Sequence, residues 1–575
     1  MSPASRARRA LVLLGAALLL GGLRDPRLFA AGAAALWALV WLERPALGPA
    51  AAWLPWLAWA ALSAASGGQP LAALPLLSRW AAALAFASLA ASWDARGREE
   101  WLKTALIVTG VLAAAGFFTG SQYLRNEMDL IISYFNFRNI MSGQVPSYYN
   151  FRNEMTGLIP PYYNYTAFAV AAGASAAAAW ALHPRGPRLG LRIAALAGAA
   201  AGAICLGLAH SRGAWLGLAC AGAVWAARRW GMKAIGAAAL AAAIFGGALA
   251  TGHIPDALGG ALVKRGRQVS EARPAIWRRA AGIASEKPWL GEGTGSFGVG
   301  FRRRPVEAHG AQSRWGLGTD YAHSEPLQAA AETGWAGLAL WLLGVGASLS
   351  VLLRRADEEP AREAAAVAAA AMAAQLLVDN MLQIPGLALL FFSALAVAGA
   401  KPAGGPRWPR AAVVLGALLA LVAWLPRALA EGNPARAAAL FPRESDPLED
   451  LAYRAMAAGK LGKADALWAR AASLAPFNAV YPWRRAQIAT AQRRWEAGLE
   501  LSARAAEDEP GFLNDRVLRA EALLYLGRKT EARAELKSVV DILNSRGNVA
   551  GFTHYDAAIW DFDRKEYDRV AALLK

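Results

Sequence analysis

The chain has 575 residues, of which 56% are hydrophobic and 18% charged, and its formal net charge is +18. On a soluble protein that charge would point first to nucleic acid, but the basic residues sit in short loops between apolar blocks, so they read as topological and not as a nucleic-acid surface. The two cysteines, Cys205 and Cys220, both fall in apolar blocks, a pattern of packing and not of a disulfide or metal framework.

Apolar blocks run through the first three quarters of the chain, near 10–23, 28–42, 46–66, 71–92, 101–119, 162–182, 191–209, 213–227, 233–251, 333–353, 363–382, 384–400 and 410–428. About 20 apolar residues cross about 30 Å of hydrocarbon as a helix, so these are thirteen candidate spans, the first two being short enough to form a hairpin. Met1–Leu23 has the basic start (Arg6, Arg8, Arg9) and short apolar run of a signal peptide. No small-residue cleavage site follows, and Arg24-Asp25-Pro26 comes next, so it reads as an uncleaved first span. With the N-terminus in the cytoplasm, the inside connections carry Arg44, Arg96/Arg98/Lys103, Arg185/Arg188/Arg192, Arg228/Arg229/Lys233, Arg354/Arg355/Arg362 and Lys401/Arg407/Arg410. The short outside connections near 67–70 and 380–385 carry none. The loops 120–161 and 251–332 and everything beyond the last span then lie on the far side, the periplasm of a bacterial inner membrane.

The 120–161 loop holds a tandem repeat: RNEMDLIISYFNF (125–137), RNIMSGQVPSYYNF (138–151) and RNEMTGLIPPYYNY (152–165). Units this short cannot form a solenoid. They read as a duplication that lengthens a loop, with its aromatics at the membrane interface, in preference to a sugar-facing surface.

His210-Ser211-Arg212-Gly213 stands at the outer end of the seventh span. A charge there is expensive unless it snorkels or pairs, so Arg212 is a candidate site residue. Gly213 starts the next span, so a tight turn would fix the arginine. In the 251–332 loop, Arg273 precedes Pro274, which predicts extended backbone followed by a helix from Ala275. An arginine beside a helix N-terminus could seat a phosphate. Arg278 and Arg279 read as solvated. Gly291-Glu292-Gly293-Thr294-Gly295-Ser296-Phe297 lacks the Lys-Ser/Thr and the preceding strand of a nucleotide loop and reads as a tight irregular turn. His323, beside Asp320 and Glu325 just before a span, suits general-base work on a hydroxyl. The histidines show no metal-ligand spacing, so neither a metal nor any other cofactor is expected.

Beyond Pro434 the pattern changes to amphipathic helices. Ala452, Ala486 and Ala520 recur every 34 residues, as do Ala464, Gly498 and Ala532, then Ala471 and Ala505, then Pro476 and Pro510. Small residues where paired helices approach, with proline at the inter-repeat turn, resemble the tetratricopeptide repeat. Three units are drawn at 445–478, 479–512 and 513–546 with a helical cap to residue 575, a solenoid that would bind a protein or peptide partner.

Three motifs together, SRGAWLGL (211–218), EARPAIW followed by KPWLGEGTGSF, and AHSEPLQAAAETGWAGL (322–338), resemble the O-antigen ligase/polymerase superfamily, over about residues 160–400. The resemblance implies an all-α, GT-C-like polytopic helix bundle of about 12–13 spans in residues 1–430, with a periplasmic helical-repeat domain in 431–575. It implies metal-independent transfer of a glycan from an undecaprenyl-diphosphate carrier to a periplasmic acceptor. Arg212 and Arg273 would contact the carrier diphosphate, and His323 would act near the acceptor hydroxyl. Arginine offers several directed donors that stay charged, which suits a diphosphate leaving group. The chain departs from the pattern at Ser324, where members often have Asn.

The acceptor that fits this resemblance best is lipid A–core, making the chain an O-antigen ligase of the inner membrane. A second carrier-linked glycan (polymerase) or a protein hydroxyl (O-oligosaccharyltransferase) are the alternatives. From another class come a non-enzymatic membrane scaffold and a transporter; against the latter, the spans hold few charges, Arg79 chief among them, and show no inverted halves.

Overall fold

The computed structural model describes residues 3–23, 25–67, 73–125, 163–208, 212–231, 266–303, 306–308, 311–313, 321–353, 359–399, 405–545 and 562–575. The repeat at 125–165 therefore lies almost wholly outside the described residues, as do the predicted span 233–251, His210 and Asp320. The chain divides into two compact units, one of residues 1–270, 284–296 and 322–428, the other of 271–283, 297–321 and 429–575.

The first unit is helical. Its helices include Pro3–Leu19, Pro26–Glu43, Leu54–Ser66, Ala73–Ala91, Ala95–Arg125, Tyr163–Ala181, Leu189–Leu208, Arg212–Trp230, Glu325–Leu349, Pro360–Leu376, Pro385–Gly399 and Arg410–Ala430. Helix thus stands at every predicted span that falls within the described residues. By length and composition, Ala73–Ala91, Leu189–Leu206 and Arg410–Ala430 are long and apolar enough to cross a membrane, and Ala167–Ala181 and Pro385–Gly399 are apolar but shorter.

Burial sorts these helices into inner and outer. Pro360–Leu376 and Pro385–Gly399 are buried on almost every face. Alanine dominates the first of them, and with such small side chains neighbouring backbones can close in. Leu189–Leu206 is only 17% buried although it is the kind of helix water rejects. Its Leu189, Leu191, Ile193 and Ile204 are more than half exposed, as are Leu415 and Val422 of Arg410–Ala430. Apolar side chains facing outward over whole helices are the pattern of a surface solvated by lipid.

The helix Arg212–Trp230 lies antiparallel on Pro360–Leu376, and small residues set the register. A Cβ at Gly213 would stand 3.1 Å from Val378 Cγ2 and 3.2 Å from Gln375 Cγ, and one at Gly217 would stand 2.6 Å from the Ala371 carbonyl oxygen. One turn further, Ala221 is buried with Val367 and Ala371. At the far end Arg228 Nε donates to Glu363 Oε2 at 3.0 Å, with 3% and 0% of the two side chains exposed, and Arg229 lies 3.6 Å from the other carboxylate oxygen. The charge pattern had assigned Arg228 to an ordinary inside loop; it is instead half of a buried ion pair. At that same end Arg98 holds Glu359 through two bonds of 2.7 and 2.8 Å.

In the second unit the 251–332 loop contributes the short helix Phe297–Arg302 and an antiparallel hairpin, Val306–Ala308 with Ala311–Ser313. The remainder is a run of helix pairs: Asp446–Ala457 with Leu461–Leu474, Val480–Ala491 with Trp495–Asp508, and Leu513–Tyr525 with Lys529–Ser545. The second helices begin at Leu461, Trp495 and Lys529, one every 34 residues. Ala452, Ala486 and Ala520, and also Ala464, Ala532, Ala471 and Ala505, are completely buried, so the periodic small residues sit where helices meet. Asp515 and Glu509 are buried in this unit and Glu449 is half-buried. Burial pushes the Asp515 carboxyl up to about 7 although Ser502 Oγ donates to it at 2.6 Å. Burial likewise pushes Glu449 up to about 8, against a hydrogen bond from the Tyr481 hydroxyl at 3.1 Å.

Candidate active site

The glycine run at 287–296 builds the floor. Gly334 breaks the helix Glu325–Leu349 with φ 74° and ψ 176°, backbone that only glycine adopts without strain. The break leaves the carbonyls of Ala331 and Glu332 without helical partners, and the amides of Glu292 and Gly293 donate to them at 2.9 and 3.0 Å. Ser63 Oγ lies 2.7 Å from both the Leu290 and Glu332 carbonyl oxygens, and Trp59 Nε1 lies 3.1 Å from those of Trp289 and Thr333. Thr294 Oγ1 donates to Ala60 at 2.7 Å. A Cβ at Gly291 would fall 2.6 Å from the Ala331 oxygen, so close approach as well as the turn requires glycine there. The segment is the tight turn its sequence predicts, and its amides are used against the kinked helix, not for a phosphate.

His323 stands just before that helix. It takes a left-handed backbone, φ 49°, which a non-glycine residue adopts at some strain. Its neighbours are pinned by polar side chains. The Ala322 amide donates to Gln328 Oε1 at 2.7 Å, and Gln328 Nε2 donates to Glu332 Oε1 at 2.7 Å. The Ser324 amide donates to Asn380 Oδ1 at 3.0 Å, and the Leu382 amide to Glu325 Oε1 at 2.9 Å. His323 Nδ1 lies 3.8 Å from Asp379 Oδ1, outside hydrogen-bond reach but within that of a charge pair, with 31% of the histidine side chain exposed against 5% for the aspartate.

Arg212 is the first residue of its helix, as the sequence placed it at a turn between two spans. Its neighbour Gly213 packs on Gln375 and Val378. The starts of the Arg212 helix and of the His323 helix thus abut one short segment, 375–382. Arg273 belongs to the second unit and is half-buried. The expected helix start after Pro274 is not found: helix runs unbroken from Gly266 to Glu286 with Pro274 inside it. Arg273 therefore lies inside a helix and not beside the helix start expected at Ala275. Proline at this point removes one amide and leaves the carbonyl a turn earlier without its bond, a local weakness and not an end.

Sequence reasoning missed the segment that His323 and the Arg212 helix share. The block 363–382 was drawn as a single span, but helix stops at Leu376, a turn follows, and Met381–Gln383 is a 3-10 turn. The signal was present: Gln375, Asp379, Asn380 and Gln383 crowd one end of an apolar block, and polar groups at that depth are expensive without a use. On the other side of this segment Arg79 Nη1 donates to the Gln383 carbonyl, and Arg79 edges a small apolar recess with Leu23, Phe29, Leu36, Phe86 and Leu389. Among the described residues no group of three or more His, Cys, Asp or Glu is disposed to hold a metal ion.

Residues 197–342 match the family described as O-Antigen ligase. The matched stretch contains Arg212, Arg273, the glycine turn, His323 and the Gly334 kink. No curated protein matches the chain. The match supports the ligase superfamily and, with it, glycan transfer in O-antigen biosynthesis; together with the apolar helices it describes a membrane protein.

Proposed function

We propose that the chain transfers a glycan from an undecaprenyl-diphosphate carrier to lipid A–core on the periplasmic side of the inner membrane, without metal or cofactor. The observation that carries this reading is the convergence of His323 and the start of the Arg212 helix on segment 375–382. Arg212 and Arg273 offset the charge of the departing carrier diphosphate, since guanidinium donors stay charged and bind phosphate oxygens in pairs. His323 takes the proton of the acceptor hydroxyl. Asp379 lies 3.8 Å from its Nδ1 and helps orient the ring toward the acceptor. The recess beside Arg79 suits part of a polyprenyl tail. The acceptor-side helix pairs, with their 34-residue period, support a tetratricopeptide domain that engages a protein partner.

The test is transfer by purified protein in liposomes, with lipid-linked glycan and lipid A–core supplied and products read by mass spectrometry. Arg212→Ala, Arg273→Ala and His323→Ala should each lower transfer by about 100-fold or more while insertion is kept. Full transfer by all three variants would sink the reading. Product on a protein or on a second carrier-linked glycan would move the acceptor, not the chemistry.

A further inference from the structure

Gln375 is 0% exposed, and among the described residues neither its Oε1 nor its Nε2 has a hydrogen-bond partner. Asn380 is 6% exposed; its Oδ1 is taken by the Ser324 amide, while its Nδ2 makes no full hydrogen bond and is turned to the Glu325 carboxylate. A buried polar atom left unpaired is unfavourable by about 1–3 kcal/mol, and Gln375 presents two such atoms. Buried amides are nearly always satisfied, so each exception asks for a reason. Gln375 is no accident of a polar surface, because it lies in the last turn of an apolar helix, where methionine or leucine would leave no polar atom unpaired.

Its surroundings are those of the site. Gln375 packs against the first turn of Arg212–Trp230, where a Cβ on Gly213 would stand 3.2 Å from its Cγ and 3.7 Å from its Cδ. Asn380 follows Asp379, which faces His323 at 3.8 Å. The unmade bonds also say what fits. Phosphate oxygens only accept, and would satisfy Nε2 while leaving Oε1 bare. A sugar hydroxyl both donates and accepts, so a pair of ring hydroxyls satisfies both ends of one amide.

We propose that Gln375 is a specificity residue that hydrogen-bonds hydroxyls of the donor sugar nearest the diphosphate. This rests on the glycan-transfer reading and deepens it: the arginines hold the leaving group, and the Gln375 amide reads the sugar to be moved. A site built to hydrogen-bond a hydroxyl discriminates sharply against analogues lacking it, because its own groups are then left unpaired.

The test compares wild type, Gln375→Met and Gln375→Glu in the liposome assay, with lipid-linked glycan extracted from the producing cells and with analogues lacking one hydroxyl on the carrier-proximal sugar. Gln375→Met keeps the volume and removes the two unpaired polar atoms, so its melting temperature should equal or exceed that of wild type. Its kcat/KM for the natural donor should fall about 10–100-fold, and it should lose the wild-type preference over the deoxy analogue. Should Gln375→Met fail to insert, Gln375→Glu should likewise lower kcat/KM and lose the preference over the deoxy analogue, with a lower melting temperature from the buried carboxyl, and wild type alone must still discriminate against a deoxy analogue. Unchanged kcat/KM in either inserted variant, or no discrimination by wild type, overturns the sugar contact and leaves the transfer reading standing. Absence of transfer by wild type overturns both.

Discussion

Both units use small residues to bring helices together, but their outer faces and their neighbours differ. In the first, Gly213, Gly217 and Ala221 seat one helix on another, and leucine and isoleucine point outward. In the second, the 34-residue ladder of alanines is buried, and arginines pair with acids on the outside, as Arg485 does with Asp465 at 2.7 Å and Arg569 with Glu521 at 2.6 Å. What a glycine faces also differs. Gly217 and Gly291 meet backbone, which cannot move aside, whereas Gly498 meets a side-chain methyl of Thr490. Arg228 and Glu363 in the first unit are paired in full burial, whereas Arg485 and Asp465 in the second stay partly exposed, so tolerance to substitution should diverge between the units.

The largest effect is expected at Glu363. Glu363→Ala leaves Arg228 buried without its carboxylate and should destabilise the first unit by about 3–5 kcal/mol, read as lost protein in membranes and a lower melting temperature in detergent. Adding Arg228→Met should recover most of the loss; no recovery would mean that the pair matters for something other than charge. Next comes Gly334→Ala. Its backbone is glycine-only, and the new Cβ would meet the Trp289 carbonyl carbon at 2.6 Å, so about 3 kcal/mol or more should be lost. A variant with wild-type melting would show that the kink is not needed.

In the second unit the effects should be smaller and tied to pH. Asp515 holds a proton up to about 7 in the folded chain but only to about 4 when unfolded, so its folded state binds more protons across that window. Stability is then full below about pH 4 and is lost as the pH rises through 7. Asp515→Asn should leave stability at pH 4 unchanged and raise it at pH 8 by on the order of 1–3 kcal/mol, checked by melting curves at both values. An equal gain at both would deny the proton its part. The smallest change is expected for Gly498→Ala. Better helix propensity, worth about 1 kcal/mol, offsets a Cβ placed 2.7 Å from Thr490 Cγ2. A loss as large as that at Gly334 would erase the contrast between the units.

Much of this was legible in the sequence for identifiable reasons. Runs of Ala and Leu long enough to cross a bilayer mark helices by length alone, and a fixed 34-residue period marks helix pairs whatever their partner. Glycines where backbones touch could be suspected at 291–295, because no alternative chemistry fitted them. Segment 375–382 was not legible, because its turn begins inside a hydrophobic block and the block's length outvoted four polar residues. The ion pair Arg228–Glu363 was hidden because its members lie 135 positions apart and each looks like a loop charge. Pro274 misled in the opposite direction: a proline is a good helix starter, but here the helix passes through it.

The antiparallel seating of Arg212–Trp230 on Pro360–Leu376 also works as a ruler. The charge lock at Arg228 and Glu363 fixes one end, and the glycine contacts fix the rotation, so the height and azimuth of Arg212 over segment 375–382 are set by a count of residues. One residue inserted between Gly217 and Arg228 would rotate the arginine by about 100° and displace it by about 1.5 Å. Under the proposed function, spacing between the lock and Arg212 would count as much as the identity of the arginine itself.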